Sequence, residues 1–422
     1  MSKIKMSSFQ KDRQYIKFCA YGFLKNLRFY DAFLLLFFLE NGVSYSQIGI
    51  LYAAREIIIN VFEIPSGIIA DAYGRKNALI LALFFYILSF FIFYLSMGFS
   101  LLLIAIILNG IGDAFRSGTH KGMIMDYLKI NQWSHHKVAY YGHTRSWSQK
   151  GSAISALFAG FLVLYSGSYR LIYLFAVIPY VLNFINIYTY PSSLNFSLKK
   201  KVPTSSSSSK NEKKSQVLLV SVFKDFMAAI KNRHVFEIIN SAALHSSFLK
   251  ALKDYIQPIM LHIAVIIPVM FALDIKRKSG LIIGVIYFCI FLLTSYASKN
   301  AVKITRLKVQ NISKLTLLVG LGSGLICGFF MLYGLWGFSL FFFVIIYLIE
   351  NVRKPILTGA LADNVPNEIL TSVLSAQSFY GTLLTSSIAI SFGIMADQFG
   401  IGYSLLSISG GLIFLSLGIV KK

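Results

Sequence analysis

The sequence predicts an all-α integral membrane protein: twelve transmembrane helices arranged in two pseudo-symmetric halves of six. Three observations carry that prediction: the composition, the spacing of the apolar runs and the sidedness of the basic residues. Of 422 residues, 56% are hydrophobic and only 14% charged, against about 25% charged in an ordinary soluble chain. A soluble core cannot hide that much apolar surface, which excludes a string of soluble domains. Forty Lys and Arg against 17 Asp and Glu leave a formal charge of +23. In so apolar a chain the partner of that excess is a lipid bilayer with an anionic face, not nucleic acid. Cys19, Cys289 and Cys327 stand far apart inside apolar runs, with no CxxC or Cys/His spacing. Neither a disulfide framework nor a metal site is indicated, and no cofactor is expected.

A bilayer core of about 30 Å takes roughly 20 apolar residues as a helix, since only a helix satisfies its own backbone there. Runs of that size fall near 18–40, 46–70, 78–97, 100–127, 147–166, 171–190, 236–257, 279–298, 314–334, 338–361, 370–394 and 402–420. They divide the chain into an N-terminal half (1–190), a linker (191–235) and a C-terminal half (236–422). The first run follows a polar stretch to about Lys17, is interrupted by charge and lacks a small-residue cleavage site, so it is expected to stay in the mature protein. The linker holds Lys199, Lys200, Lys201, the Ser205–Ser209 tract, Lys210, Lys213 and Lys214, the composition of a flexible solvated connector. Residues 258–275, starting at Pro258 and containing Pro268, are apolar enough for a short extra segment and are read as an extended outer loop.

Orientation follows from where Lys and Arg collect. With both ends inside, the inner segments hold 25 of them and the outer segments four: Arg170, Lys276, Arg277 and Lys278. Both termini and the linker are therefore assigned to the cytoplasm, and the protein to a bacterial inner (plasma) membrane, as a monomer.

An ionisable group inside a transmembrane helix is costly and faces a protein interior or a watery cavity, so its distribution is informative. Span 1 carries Lys25, Arg28 and Asp31; span 4 carries Asp113, Arg116, His120 and Lys121; span 7 carries His245, Lys250, Lys253 and Asp254; span 10 carries Glu350, Arg353 and Lys354. Spans 3, 6 and 12 carry none, and span 9 only Lys314 at its very start. Charge on every third helix fits four three-helix units whose first members line a central polar path; the competing reading is snorkelling from span ends. Span 2 adds Arg55, Glu56 and Glu63, and Glu56, Asn60 and Glu63 share one helical face. Coupling to protons needs buried carboxylates, so Asp31, Glu56, Glu63 and Asp113, with Arg116 beside Asp113, form the expected coupling pathway. The bland alternative is a set of ion pairs that only holds helices together. Arg28, Tyr30, His120, His245, Lys250, Asp254, Glu350, Arg353 and Gln377 are candidates for the substrate cavity, with Tyr380 beside them. The basic excess on spans 1, 4, 7 and 10 points to an anionic or zwitterionic small solute.

The loop after span 2 reads Gly67-Ile-Ile-Ala-Asp71-Ala-Tyr-Gly74-Arg75-Lys76-Asn77. It closely resembles the signature that major facilitator superfamily transporters carry between helices 2 and 3, with Ala72 and Asn77 replacing two of the usual basic residues. The resemblance covers essentially the whole chain and implies the fold of that family. It further implies that Gly67, Asp71, Gly74, Arg75 and Lys76 form a conformational latch, in which Asp71 meets the start of helix 11 near Thr371 and Ser372. Gly67 would allow close helix approach and Gly74 a tight turn. A weaker echo, Gly393-Ile-Met-Ala-Asp397-Gln-Phe-Gly400, follows span 11 on the outer side and lacks the basic pair. Span 5 has no Pro, so the helix-5 signature of drug antiporters is missing.

These readings converge on a secondary active transporter of a small solute working by alternating access, coupled to protons, with export favoured by family frequency alone. The competing readings are an uncoupled facilitator and a transporter-like sensor or scaffold; the linker is too short and polar to be a sensory domain. An enzyme is not expected: neither HExxH nor a nucleophile elbow occurs, and His135-His136 reads as a solvated turn. A P-loop is also missing, which argues against ATP-driven transport by this chain alone.

Overall fold

The computed structural model describes residues 11–195, 233–268, 273–305, 312–365 and 367–421, and among these the regular structure is helical. The N-terminal half comprises α1 (Arg13–Lys25), α2 (Leu34–Glu40), α3 (Tyr45–Tyr73), α4 (Arg75–Leu95), α5 (Phe99–Arg116), α6 (Thr119–Ile130), α7 (Lys137–Ser166) and α8 (Leu171–Tyr188). The C-terminal half comprises α9 (Arg233–Leu252), α10 (Ile256–Ile266), α11 (Ile275–Thr305), α12 (Ile312–Leu332), α13 (Trp336–Asn364) and α14 (Asn367–Lys421). The linker read over 191–235 lies mostly outside the described residues. Among the described residues, six helical stretches are long and apolar enough to cross a membrane by length and composition. The end of the bundle that bears the start of α1 and the end of α14 is called the terminal face below, and the opposite end the far face.

Three of the four charge-bearing spans are broken helices. Span 1 is interrupted between α1 and α2 by a 3-10 turn, Phe29–Ala32, that carries Asp31. Span 4 breaks between α5 and α6, where Gly118 takes a φ of 71° that a side chain would oppose. Span 7 breaks at the 3-10 turn Lys253–Tyr255. Each break exposes backbone groups that an unbroken helix would pair internally, so each is a point where polar side chains are retained within the bundle. Spans 11 and 12 form one element, α14, kinked at Gly400 (φ 82°, ψ 165°).

The extended outer loop expected at 258–275 is corrected in its first part: Ile256–Ile266 is helical and completes span 7. Pro258 sits in the first turn of α10, where its missing N–H costs no helical hydrogen bond. Residues 269–272 lie outside the described residues.

The two halves meet along two seams, α3 against α14 and α7 against α11. Both are made by small residues towards the far face. A Cβ on Gly160 would lie 2.6 Å from the Gly280 carbonyl oxygen, and one on Gly284 would lie 2.9 Å from that of Ala156. In the other seam Gly49 packs against Ala389 and Ile390, and Gly393 against Tyr45 and Ser46. Such backbone-to-backbone approach is how helices pack where lipid offers no competing hydrophobic drive.

Candidate functional site

The first cluster gathers at the breaks of spans 1 and 4. Asp113, 4% exposed on α5, is the counter-ion of three guanidinium groups. Arg116 reaches it at 2.9 Å, Arg28 at 3.5 Å, and Arg55 pairs with it from α3. The Tyr86 hydroxyl also donates to it, at 2.5 Å. Asp31 lies 3.9 Å from Arg28, and Glu56 3.8 Å from Arg55. Across the boundary between the halves, Lys250 of α9 approaches Glu56 at 3.4 Å. Four of the five coupling-pathway residues thus come together: Asp31, Glu56, Asp113 and Arg116. Glu63 does not join them; its side chain is exposed nearer the terminal face.

The second cluster lies in the C-terminal half. His245, fully buried on α9, shares a 2.8 Å hydrogen bond through Nδ1 with Glu350 of α13. Arg353, 2% exposed, donates to the Ser241 carbonyl and hydroxyl, both at 2.8 Å, and to the Ser313 carbonyl and Thr316 hydroxyl, both at 2.6 Å. It therefore clamps α9, α12 and α13 by neutral oxygens. Such a buried cation is tolerated because a guanidinium presents several fixed donors at once. Asp254, 2% exposed at the span 7 break, has Lys253 as its nearest described cation, at 3.9 Å.

Gln257, which sequence reasoning missed, joins the two broken spans. Its Oε1 accepts from the Leu35 and Leu36 amides at 2.9 and 3.3 Å, filling the open N-terminus of α2. Its Nε2 donates to the Asp31 carbonyl at 3.0 Å and to the Tyr287 hydroxyl at 3.3 Å. A glutamine just after a break that carries no glycine or proline gives no signal by type; only the orphaned amides of a helix that itself begins at an unforeseen break could have pointed to it.

Tyr30, one of the cavity candidates, is 6% exposed and stacked on Tyr173, with ring centroids 5.6 Å apart. Tyr380 donates to Asn240 at 2.9 Å, and Gln377 on α14 is half-buried. His120 stacks on Tyr21 with centroids 3.7 Å apart and borders a cavity of about 200 Å³ among α1, α6 and α7.

The signature loop is a tight turn, with Gly74 at φ 98°. Arg75 pairs with Asp126 of α6 at 2.6 Å, and Lys76 donates to the Tyr188 carbonyl at the end of α8 at 2.6 Å. Asp71 is exposed, and a Cβ on Gly67 would meet no atom within 4 Å. The close approach expected at Gly67 is therefore not made in this state. The side chains of Thr371 and Ser372 lie outside those described. At the far face the echo sequence is engaged: Asp397 accepts from the Tyr45 and Ser46 amides, each at 2.8 Å, and from the Ser46 hydroxyl. Lys276 pairs with Glu40, and Tyr169 shares a 2.9 Å hydrogen bond with Ser279. These contacts close the far face between the halves.

Comparison with known proteins gives one consistent picture. The family model described as Major Facilitator Superfamily matches residues 22–390. An uncharacterized MFS-type transporter, YxaM of Bacillus subtilis (strain 168), is 32% identical over 85 residues, which span 20% of this chain and 21% of that relative. The solved structure of the nucleoside transporter NupG superposes with a TM-score of 0.71 at 13% identity, over 97% of this chain and 99% of that one. A POT family transporter in complex with 5-aminolevulinic acid gives 0.71 at 14% identity, over 97% and 95%. A bacterial homolog of the human lysosomal transporter Spinster, inward-facing and unoccupied, gives 0.69 at 12% identity, over 97% and 96%. At these identities the structures attest the fold alone.

Proposed function

The chain belongs to the major facilitator superfamily, and on that premise we propose that it moves a small solute across the bilayer by proton-coupled alternating access. The observation that carries the reading is the Glu56–Lys250 ion pair, which joins the two halves beside the Asp113 cluster. Lys250 is 53% exposed, and pairs of that kind are worth only about 0.2–1 kcal/mol. A contact so weak can be made and broken in every cycle. When the halves rock apart, Glu56 loses Lys250 and keeps Arg55, so the charge around this carboxylate changes with the conformation. Asp113 has a different part: with three guanidinium groups on one carboxylate it is a fixed node that ties the span 1 break to α3 and α5.

Alternation requires that the far-face seal open and a second seal form. In this reading Gly393 and Asp397 are the far-face latch, and Gly67, Asp71, Gly74, Arg75 and Lys76 its counterpart at the terminal face. The Lys/Arg bias supports a cytoplasmic terminal face, in this reading at a bacterial plasma membrane. The test is solute flux in proteoliposomes with an imposed pH gradient. Flux should follow the gradient and fall when Asp31, Glu56 and Asp254 are made neutral; flux indifferent to both would leave an uncoupled facilitator.

A further inference from the structure

The cavity of about 200 Å³ among α1, α6 and α7 has a one-sided electrostatic character. Lys25, Arg116, Lys121 and Arg145 all border it, and no Asp or Glu does. Arg116 is already paired with Asp113, a carboxylate it shares with Arg28 and Arg55. Among the described residues, Lys25, Lys121 and Arg145 have no carboxylate within ion-pair distance. Lys25 is half-buried, while Lys121 and Arg145 stand exposed at the rim. Like charges gathered at a partly desolvated site repel one another, and a bound anion removes that cost.

The surroundings suit an oxyanion in particular. The N-terminus of α6, a helix of 12 residues, opens onto the cavity behind Gly118 and has no side-chain cap; the Thr119 amide is taken by the Ser117 carbonyl, and the helix dipole favours negative charge there. Thr144 and Ser148 border the opposite wall, and the stacked Tyr21 and His120 rings form an apolar side. The volume is below the roughly 300–1,000 Å³ of sites that enclose drug-sized ligands. It fits the charged head of a solute.

We propose that this cavity is an oxyanion subsite, which binds the carboxylate or phosphate group of a small anionic solute through Lys25, Arg116 and Arg145, with Lys121 at its rim. The proposal rests on the transporter reading, but it concerns equilibrium binding and needs no flux. A failed binding test would thus leave the transport reading standing, and a failed coupling test would leave this one.

The experiment is thermal unfolding of the full chain in neutral detergent, titrated with sodium succinate, with sodium phosphate and, at matched ionic strength, with choline chloride. Either oxyanion should raise the unfolding midpoint by several degrees near saturation, and choline chloride should not. Arg145→Gln, at the exposed rim, should weaken the apparent affinity roughly tenfold, and Lys25→Gln at least as much. Lys25→Arg should retain binding, which separates loss of charge from misfolding. Lys137→Gln, an exposed lysine that does not border the cavity, should have no effect. Absence of any oxyanion effect, or an effect untouched by Arg145→Gln and Lys25→Gln, would overturn the proposal. Stabilisation by phosphatidylglycerol micelles with none from succinate or phosphate would overturn it as well, and assign the cations to a lipid headgroup.

Discussion

The carboxylate of Asp397, near the kink of α14, caps the N-terminus of α3 by accepting from the Tyr45 and Ser46 amides at 2.8 Å each. A helix begins with amides that have no internal partner, and an acceptor there is worth typically about 0.5–2 kcal/mol. Here donor and acceptor belong to different halves of the transporter. Helix capping, elsewhere a matter of local stability, thus becomes a term in the equilibrium between conformations. Asp71 has the matching place four residues after Gly67 on α3, as Asp397 stands four after Gly393 on α14.

Asp397→Ala should therefore favour opening of the far face while leaving the fold intact. Spin labels at Met97→Cys and Leu335→Cys, exposed on opposite halves of that face, report the distance between them in a background lacking the native cysteines. The variant should show a larger long-distance population, by roughly 2- to 30-fold for a loss of that size.

Closure of the far face also depends on backbone approach between α7 and α11. Gly284→Leu places a side chain where even a Cβ would lie 2.9 Å from the Ala156 carbonyl oxygen. Overpacking of this kind costs typically about 1–3 kcal/mol. Here the cost falls on the closed state, so the variant should insert normally, show the long label distance and transport poorly.

Gln257 offers a graded test of the joint between the broken spans. Gln257→Leu leaves the Leu35 and Leu36 amides without their acceptor, at roughly 1–3 kcal/mol for each unsatisfied group. Gln257→Glu keeps an acceptor for both amides and loses the donation to the Asp31 carbonyl. Melting temperature should fall in the order wild type, Glu, Leu.

Arg353 clamps three helices, so Arg353→Lys, which cannot reach four acceptors in the same fork, should lower the melting temperature markedly. The expected loss is roughly 1.5–3 kcal/mol for each charged hydrogen bond not remade. Light-scattering-monitored thermal unfolding in detergent reads this directly.

The pattern of charge on spans 1, 4, 7 and 10 points to a polar path in the sequence, with snorkelling from span ends as the competing reading. What that pattern leaves open is the local course of the chain. The breaks at Phe29–Ala32 and Lys253–Tyr255 have no glycine or proline at their centres, and they rest on tertiary partners such as Gln257 that are distant in sequence. The same holds for Arg353 and Asp113. Both are legible as buried charges, yet one is satisfied by neutral oxygens and the other by three guanidinium groups, a difference that only packing decides. Asp397 was readable as an echo of Asp71, and its partners at the start of α3 lie more than 300 residues away.

Proton-linked exchange between a closed and an open far face is measured without knowledge of the solute by the distance between labels at Met97→Cys and Leu335→Cys. Recorded in lipid nanodiscs at acidic and at alkaline pH, the distribution should contain two populations whose ratio depends on pH. In the variant combining Asp31→Asn, Glu56→Gln and Asp254→Asn that dependence should vanish while both populations remain. A single closed distance at every pH, or a pH dependence unchanged in the triple variant, would contradict the account.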